Sequence, residues 1–176
     1  GTGIFGLDIK VPGLLTAVIA RPPVFGGRVK SFKAEKAKAI PGVKHVIQMD
    51  RGIAVVASGF WPAKLGRDAL EIVWDDGDLG TLDSKEQTTL YAELAKQAGA
   101  TAKKEGDVDS AKGKAIKKID VVYDMPYLAH SPMEPLNCVA DVKADSCEIW
   151  VGTQFQTADL MAASRITGLN PKQIKL

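Results

Sequence analysis

Gly52-Ile53-Ala54-Val55-Val56-Ala57 places six residues in succession with no polar side chain. A half-exposed strand alternates apolar and polar residues, whereas an unbroken, β-branched apolar run marks a strand covered on both faces. Such a strand requires flanking strands and covering helices, and the neighbouring residues supply them. Leu14–Ala20 is β-rich and stops at Arg21-Pro22-Pro23, because consecutive prolines cannot donate to a ladder. Val29-Lys30-Ser31-Phe32, Val43–Ile47 and Glu71–Asp75 read as further strands. Ala34–Ala39 has helix-forming composition and is closed by Pro41-Gly42. Trp61–Leu70 predicts a helix with Pro62 in its first turn and a small or apolar face at Ala63, Gly66, Ala69 and Leu70. The fold class is α/β (α+β).

The character of the chain changes after Asp76-Gly77. Asp83 is placed to cap a helix carrying Leu90, Tyr91, Leu94, Ala95 and Ala98, with Glu86 as reciprocal partner and Gly99 at its end. Thr101–Lys118 is mostly Ala, Lys, Gly and Asp and reads as a solvated connector, with a second short helix as the alternative. Ile119–Asp124 reads as a strand. Asn137–Val142 and Cys147–Val151 form a hairpin around Ala144-Asp145. Gly152-Thr153-Gln154-Phe155-Gln156 then leads into a helix from Ala158 to Thr167, capped by Thr157 and ended by Gly168.

Charge and composition exclude several functions. With 23 Lys+Arg against 21 Asp+Glu, the net charge of +2 gives no basis for binding nucleic acid or an anionic membrane. No apolar run approaches the roughly 20 residues of a membrane helix. Cys138 and Cys147 are too few for a disulfide framework and lack neighbours at metal-ligand spacing, so no metal site is expected. The chain has no initiating Met and its first residues read like the interior of a longer polypeptide.

Three segments invite a chemical reading. Gly1-Thr2-Gly3-Ile4-Phe5-Gly6 has two correctly spaced glycines of a dinucleotide fingerprint but no preceding strand, and is not read as a nucleotide site. His130 and Glu134, in Ala129-His130-Ser131-Pro132-Met133-Glu134-Pro135, are an acid/base pair or members of a turn fixed by two prolines. Gly152–Thr157 is an ordinary strand–helix joint, or one whose free N–H groups favour an anion or oxygen-rich ligand, with Gln154 adding an uncharged donor and acceptor.

Five segments in order carry a resemblance: Asp8–Leu15, Ala20–Gly27, Ala39–Val46, Tyr127–Pro135 and Gly152-Thr153-Gln154. The chain resembles, over essentially its whole length, the molybdopterin-binding large subunit of the xanthine dehydrogenase/aldehyde oxidase family, on the branch of the isoquinoline 1-oxidoreductase beta subunit. The resemblance implies that residues 1–76 are an α/β hammerhead domain, 77–116 a helical and flexible connector, and 117–176 the start of the molybdopterin-binding domain. It implies a molybdenum hydroxylase that oxidises an aldehyde or an aromatic N-heterocycle with water as oxygen source and passes electrons to an iron–sulfur small subunit. The cofactor implied is molybdopterin with molybdenum, in its cytosine dinucleotide form. Gln154 matches the glutamine that hydrogen-bonds the apical oxo group of molybdenum, and Gly152, Thr153 and Phe155 would share the cofactor pocket. His130 and Glu134 would support that pocket rather than act as catalytic base. A periplasmic or cytoplasmic bacterial location is left open.

The family's Gly-Gly-Gly-Phe-Gly segment and its catalytic glutamate have no counterpart here, so these 176 residues alone are expected to hold no cofactor and to be inactive. Two alternatives stand beside this reading. One is a non-catalytic scaffold that docks another subunit, favoured by an exposed apolar patch near Trp61 or Phe25. The other is an unrelated small-molecule binding module.

Overall fold

The computed structural model describes residues 1–176. Its first half contains strands β1 (Thr16–Ala20), β2 (Arg28–Lys33), β3 (Val43–Met49), β4 (Gly52–Ala57) and β5 (Glu71–Asp75), with helices α1 (Glu35–Lys38) and α2 (Phe60–Asp68) between them. The apolar run is β4, the central strand of an antiparallel sheet ordered β1-β4-β3, and it is buried along its length except for the half-buried Val56. Helix α2 covers β1 and β4. It can lie this close because its facing residues, Ala63 and Gly66, are small and buried. β2 and β5 form a separate antiparallel ribbon. His45, on β3, is exposed.

Gly52 holds a left-handed φ of 144°, and a Cβ there would stand 2.3 Å from the Ala20 carbonyl oxygen. Glycine is therefore required where β4 leaves the tight β3–β4 hairpin and passes the end of β1. Ile53, Val55, Ala57, Ala37 and Ala63 are fully buried and form the centre of the core.

The second half is built differently. Helices α3 (Ser84–Leu94) and α4 (Val108–Lys114) bury no residue. The Asp83 side chain accepts from the backbone N–H groups of Lys85 and Glu86, so the expected cap forms, but α3 ends at Leu94 rather than at Gly99. A helix that buries no face has only its own hydrogen bonds to sustain its last turns. Within the expected connector, α4 forms behind a cap in which Asp107 accepts from Ser110 N–H.

Ile119–Asp124 is not a strand: residues 115–137 run without regular structure and nearly all are exposed. A strand needs a ladder partner, and no strand of this chain lies beside them. The Tyr127 hydroxyl pushes the Tyr91 phenol above its usual range.

The last element group is regular. β6 (Cys138–Val142) and β7 (Cys147–Val151) form the expected hairpin, α5 (Gln156–Thr167) follows, and β8 (Ile174–Lys175) returns parallel to β7. Gly168, at φ 75°, ends α5 in the left-handed conformation that favours glycine. The Gln173 side-chain amide donates to the Asp145 carbonyl at 2.7 Å, tying the approach to β8 to the β6–β7 turn. Here only Cys147 and Ile174 are buried hydrophobic residues.

Candidate functional site

β7 delivers the chain at Gly152, and α5 receives it at Gln156. The four residues of the expected site, Gly152, Thr153, Gln154 and Phe155, thus occupy one turn between a strand and a helix. Thr157 does not cap α5, as the sequence suggested; Phe155 is the cap residue and offers no side-chain hydrogen bond. Thr153 takes over. Its Oγ1 accepts from the Phe155 N–H at 3.0 Å and donates to the Asp159 carboxylate one turn into the helix. The hydroxyl rotates to serve both roles, and the acid lies at the end of the helix whose dipole favours it.

This clip fixes the backbone on both sides of Gln154. The Gln154 side chain is exposed and takes no part in the hydrogen bonds of the joint. Phe155 is 68% exposed beside it. The Gln156 and Thr157 N–H groups, next in the first turn of α5, precede any intrahelical acceptor. Asp159 already places negative charge here, which weakens the case for a free anion and leaves a neutral donor set suited to oxygen acceptors.

Glu134 approaches the joint from the other side. Its Oε1 accepts from the Gly6 N–H at 3.0 Å and from Asn137 Nδ2 at 3.1 Å. Its Oε2 faces Gly152, where a Cβ would stand 3.6 Å away. His130 is exposed, and no hydrogen bond joins it to Glu134. Between them Ser131 has φ 47°, the one non-glycine residue in the left-handed region. That conformation is disfavoured just before Pro132 and reports a loop held in a particular shape.

Cys138 opens β6 opposite Val151. Desolvation, then the charges of Cys147 and Asp159, push its thiol above the usual range, which disfavours the thiolate at neutral pH. No three His, Cys, Asp or Glu side chains cluster to hold a metal ion. A surface concavity lies elsewhere, among Ile19, Arg21, Arg67, Leu70, Ile72 and Trp74. No helix is long and apolar enough to cross a membrane.

Sequence reasoning missed Asp159, Gly6 and Asn137. An acid in the first turn of a predicted helix is a weak local signal for Asp159. No local pattern marks Gly6 or Asn137, because their partners are brought together only by folding.

Comparison with known proteins supplies the family. A model of the molybdopterin cofactor-binding domain matches residues 90–176. The chain is 29% identical over 188 aligned residues to the beta subunit of isoquinoline 1-oxidoreductase from Brevundimonas diminuta, covering 100% of this chain and 24% of that protein. It is 30% identical over 167 residues to the membrane-bound aldehyde dehydrogenase (pyrroloquinoline-quinone) of Gluconacetobacter polyoxogenes, covering 89% and 22%. The solved structure of quinoline 2-oxidoreductase from Pseudomonas putida 86 superposes with a TM-score of 0.68 at 15% identity, over 97% of this chain and 27% of that one. That likeness shows the fold. The chain spans about a quarter of the length of the curated relatives it matches. The domain match falls on the part of the chain that carries the Gly152–Phe155 joint, and with the relatives along its length it places this chain among proteins that carry the molybdopterin cofactor-binding domain.

Proposed function

We propose that this chain is the part of a molybdenum hydroxylase large subunit that presents Gln154 to the cofactor, in a protein that oxidises an aldehyde or an aromatic N-heterocycle with water as oxygen source. One observation carries the reading: the Gln154 amide stands exposed and outside the local hydrogen bonds, on a joint clamped by Thr153 with Asp159 and flanked by Glu134. The donor set fits molybdopterin, whose phosphate and pterin oxygens accept hydrogen bonds, and the chain offers no side-chain cluster that would hold a metal directly. The cytosine dinucleotide form belongs to this proposal. When bound, the molybdenum cofactor takes two electrons from the substrate and delivers oxygen derived from water.

The residues of this chain hold and orient. Gln154 donates from its side-chain amide, Gly152 brings the backbone beside the Glu134 carboxylate, and Phe155 supplies an apolar wall. His130 and Glu134 support the pocket and transfer no proton. Residues 1–76 serve as the hammerhead domain, 77–116 as connector, and 117–176 as the opening of the cofactor-binding domain. An iron–sulfur small subunit is the proposed electron-accepting partner; relatives whose names designate each as one subunit of an enzyme support a multi-subunit assembly.

The test is Gln154→Ala in the full-length protein. Turnover is expected to fall by about 10²–10³, since losing one donor aimed at a charge-developing oxygen raises a barrier by about 2.7–4 kcal/mol. Circular dichroism is expected to stay unchanged because the side chain is exposed. Undiminished turnover would remove Gln154 from the site. A second reading has its own support: Phe25 and Trp61 are exposed, as a docking scaffold requires. Trp61→Ser would then abolish association with the partner while Gln154→Ala left turnover intact.

A further inference from the structure

We infer that Glu134 is a positioning residue for the Gly152–Gln154 joint, and that the N-terminal turn Gly6–Asp8 is the other half of the same support. The inference rests on the reading of Gln154 above. Three stretches far apart in sequence meet at one carboxylate: the turn at Gly6, the start of β6 at Asn137, and the exit of β7 at Gly152.

The N-terminal turn is preformed for this contact. Asp8 closes it on itself, its Oδ2 accepting from the Phe5 N–H at 3.0 Å while its own N–H donates to the Phe5 carbonyl at 2.9 Å. The Gly6 N–H is thereby left pointing away from the turn, to Glu134 Oε1 at 3.0 Å.

Asn137 completes the grip. Its Nδ2 donates both to Glu134 Oε1 and to the Pro135 carbonyl, the latter at 2.7 Å. Its Oδ1 is buried with no N–H or O–H donor. A Cβ on Gly6 would lie 2.0 Å from that oxygen, so the Gly6 Cα–H points straight at it, a weak donor facing an otherwise orphaned acceptor. Gly6 is thus held through its N–H by Glu134 and through its Cα by Asn137, and any larger residue would have to displace the Asn137 amide.

Two donors on Oε1 orient the carboxylate, and Oε2 is left beside Gly152. Thr153 and Asp159 fix the joint from the helix side. Glu134 fixes it from the strand side, and the first residues of the chain lock Glu134.

Millisecond-to-second hydrogen exchange, read by mass spectrometry on the full-length protein, tests the link in Glu134→Ala, Glu134→Gln and Gly6→Ala. Glu134→Ala, which takes the acceptor from the Gly6 N–H, and Gly6→Ala, whose Cβ would displace the Asn137 amide that holds Glu134, are expected to accelerate exchange in peptides covering residues 1–9 and 150–156 together, by about tenfold or more, the second peptide because the joint loses the carboxylate placed beside Gly152. Glu134→Gln retains the accepting oxygen and is expected to restore protection to within about threefold of wild type. Peptides over residues 43–57 serve as the unchanged reference. Acceleration confined to residues 1–9 would overturn the inference, as would equal acceleration in the Gln and Ala variants. Should Glu134→Ala fail to fold, Gly6→Ala alone decides: an unaltered 150–156 peptide refutes the link. If Gln154→Ala leaves turnover unchanged while the two peptides still respond together, the reading of Gln154 fails and the support by Glu134 stands.

Discussion

A methyl group at position 66 would stand 2.8 Å from Val55 Cγ1 and 2.9 Å from Val43 Cγ2. Both atoms belong to β-branched side chains with little rotamer freedom, and Val55 is fully buried on the central strand. In an open helix, Gly→Ala gains about 1 kcal/mol of propensity. Here the crowding costs about 1–3 kcal/mol and wins. Gly66→Ala is therefore expected to lower the unfolding free energy, read as a reduced denaturation midpoint with an unchanged slope. A stabilised variant would show that α2 can lift from the sheet freely. This glycine was legible: Ala63 and Gly66, three apart, mark one small helix face in the sequence itself. Gly6 was not, because nothing around it in sequence announces Asn137.

At the scale of elements, α1 and the β2–β5 ribbon are joined by charge. The Lys36 ammonium donates to Glu71 at the start of β5, with Lys33 of β2 nearby. The hydrogen bond and charge of Lys36 hold the Glu71 carboxyl below the ordinary 4.5, while Glu71 raises Lys36 above 10.5. A carboxyl lowered in the folded state adds stability above its unfolded value and loses it as pH falls through the folded one; the raised ammonium adds stability below 10.5 and loses it at higher pH. The pair thus supports the fold between those limits. All three groups are exposed, so 1 M salt, with a screening length of about 3 Å, is expected to weaken it. A carbon-detected titration of the Glu71 carboxyl checks this: the midpoint should lie below 4.5 at low salt and move toward it in about 1 M NaCl. An ordinary midpoint at low salt would leave the ion pair without effect. Elements with such local determinants were read from sequence, including the Asp83 cap of α3 and the Gly168 end of α5. The strand at Ile119–Asp124 was misread because β-branched composition shows that a strand is possible, not that a partner exists.

The whole molecule exposes 14,644 Å². A self-contained globule of 18.8 kDa exposes about 8,300 Å². The excess lies largely in the second half, where Val122, Tyr123, Met125, Tyr127, Leu128, Met133 and Leu136 are each at least 80% exposed. The two halves therefore differ in resistance to opening. Limited chymotrypsin digestion of the 176-residue chain is expected to cut first at Tyr123, Tyr127 or Leu128 and to spare Trp74, half-buried in β5. Early cleavage at Trp74 would contradict this division.

Sequence alone determined whatever depends on a few adjacent residues: the doubly covered strand β4, the turn glycines, the Asp83 cap and the Gly168 helix end, and the strand–helix joint that carries Gln154. Tertiary structure decided the strand order β1-β4-β3, the clip from Thr153 to Asp159, and the meeting of Gly6 with Glu134 across 128 positions. The division has a physical cause. Backbone conformation and side-chain periodicity are local energies, whereas a carboxylate shared by distant segments exists only after the chain has closed the loop between them.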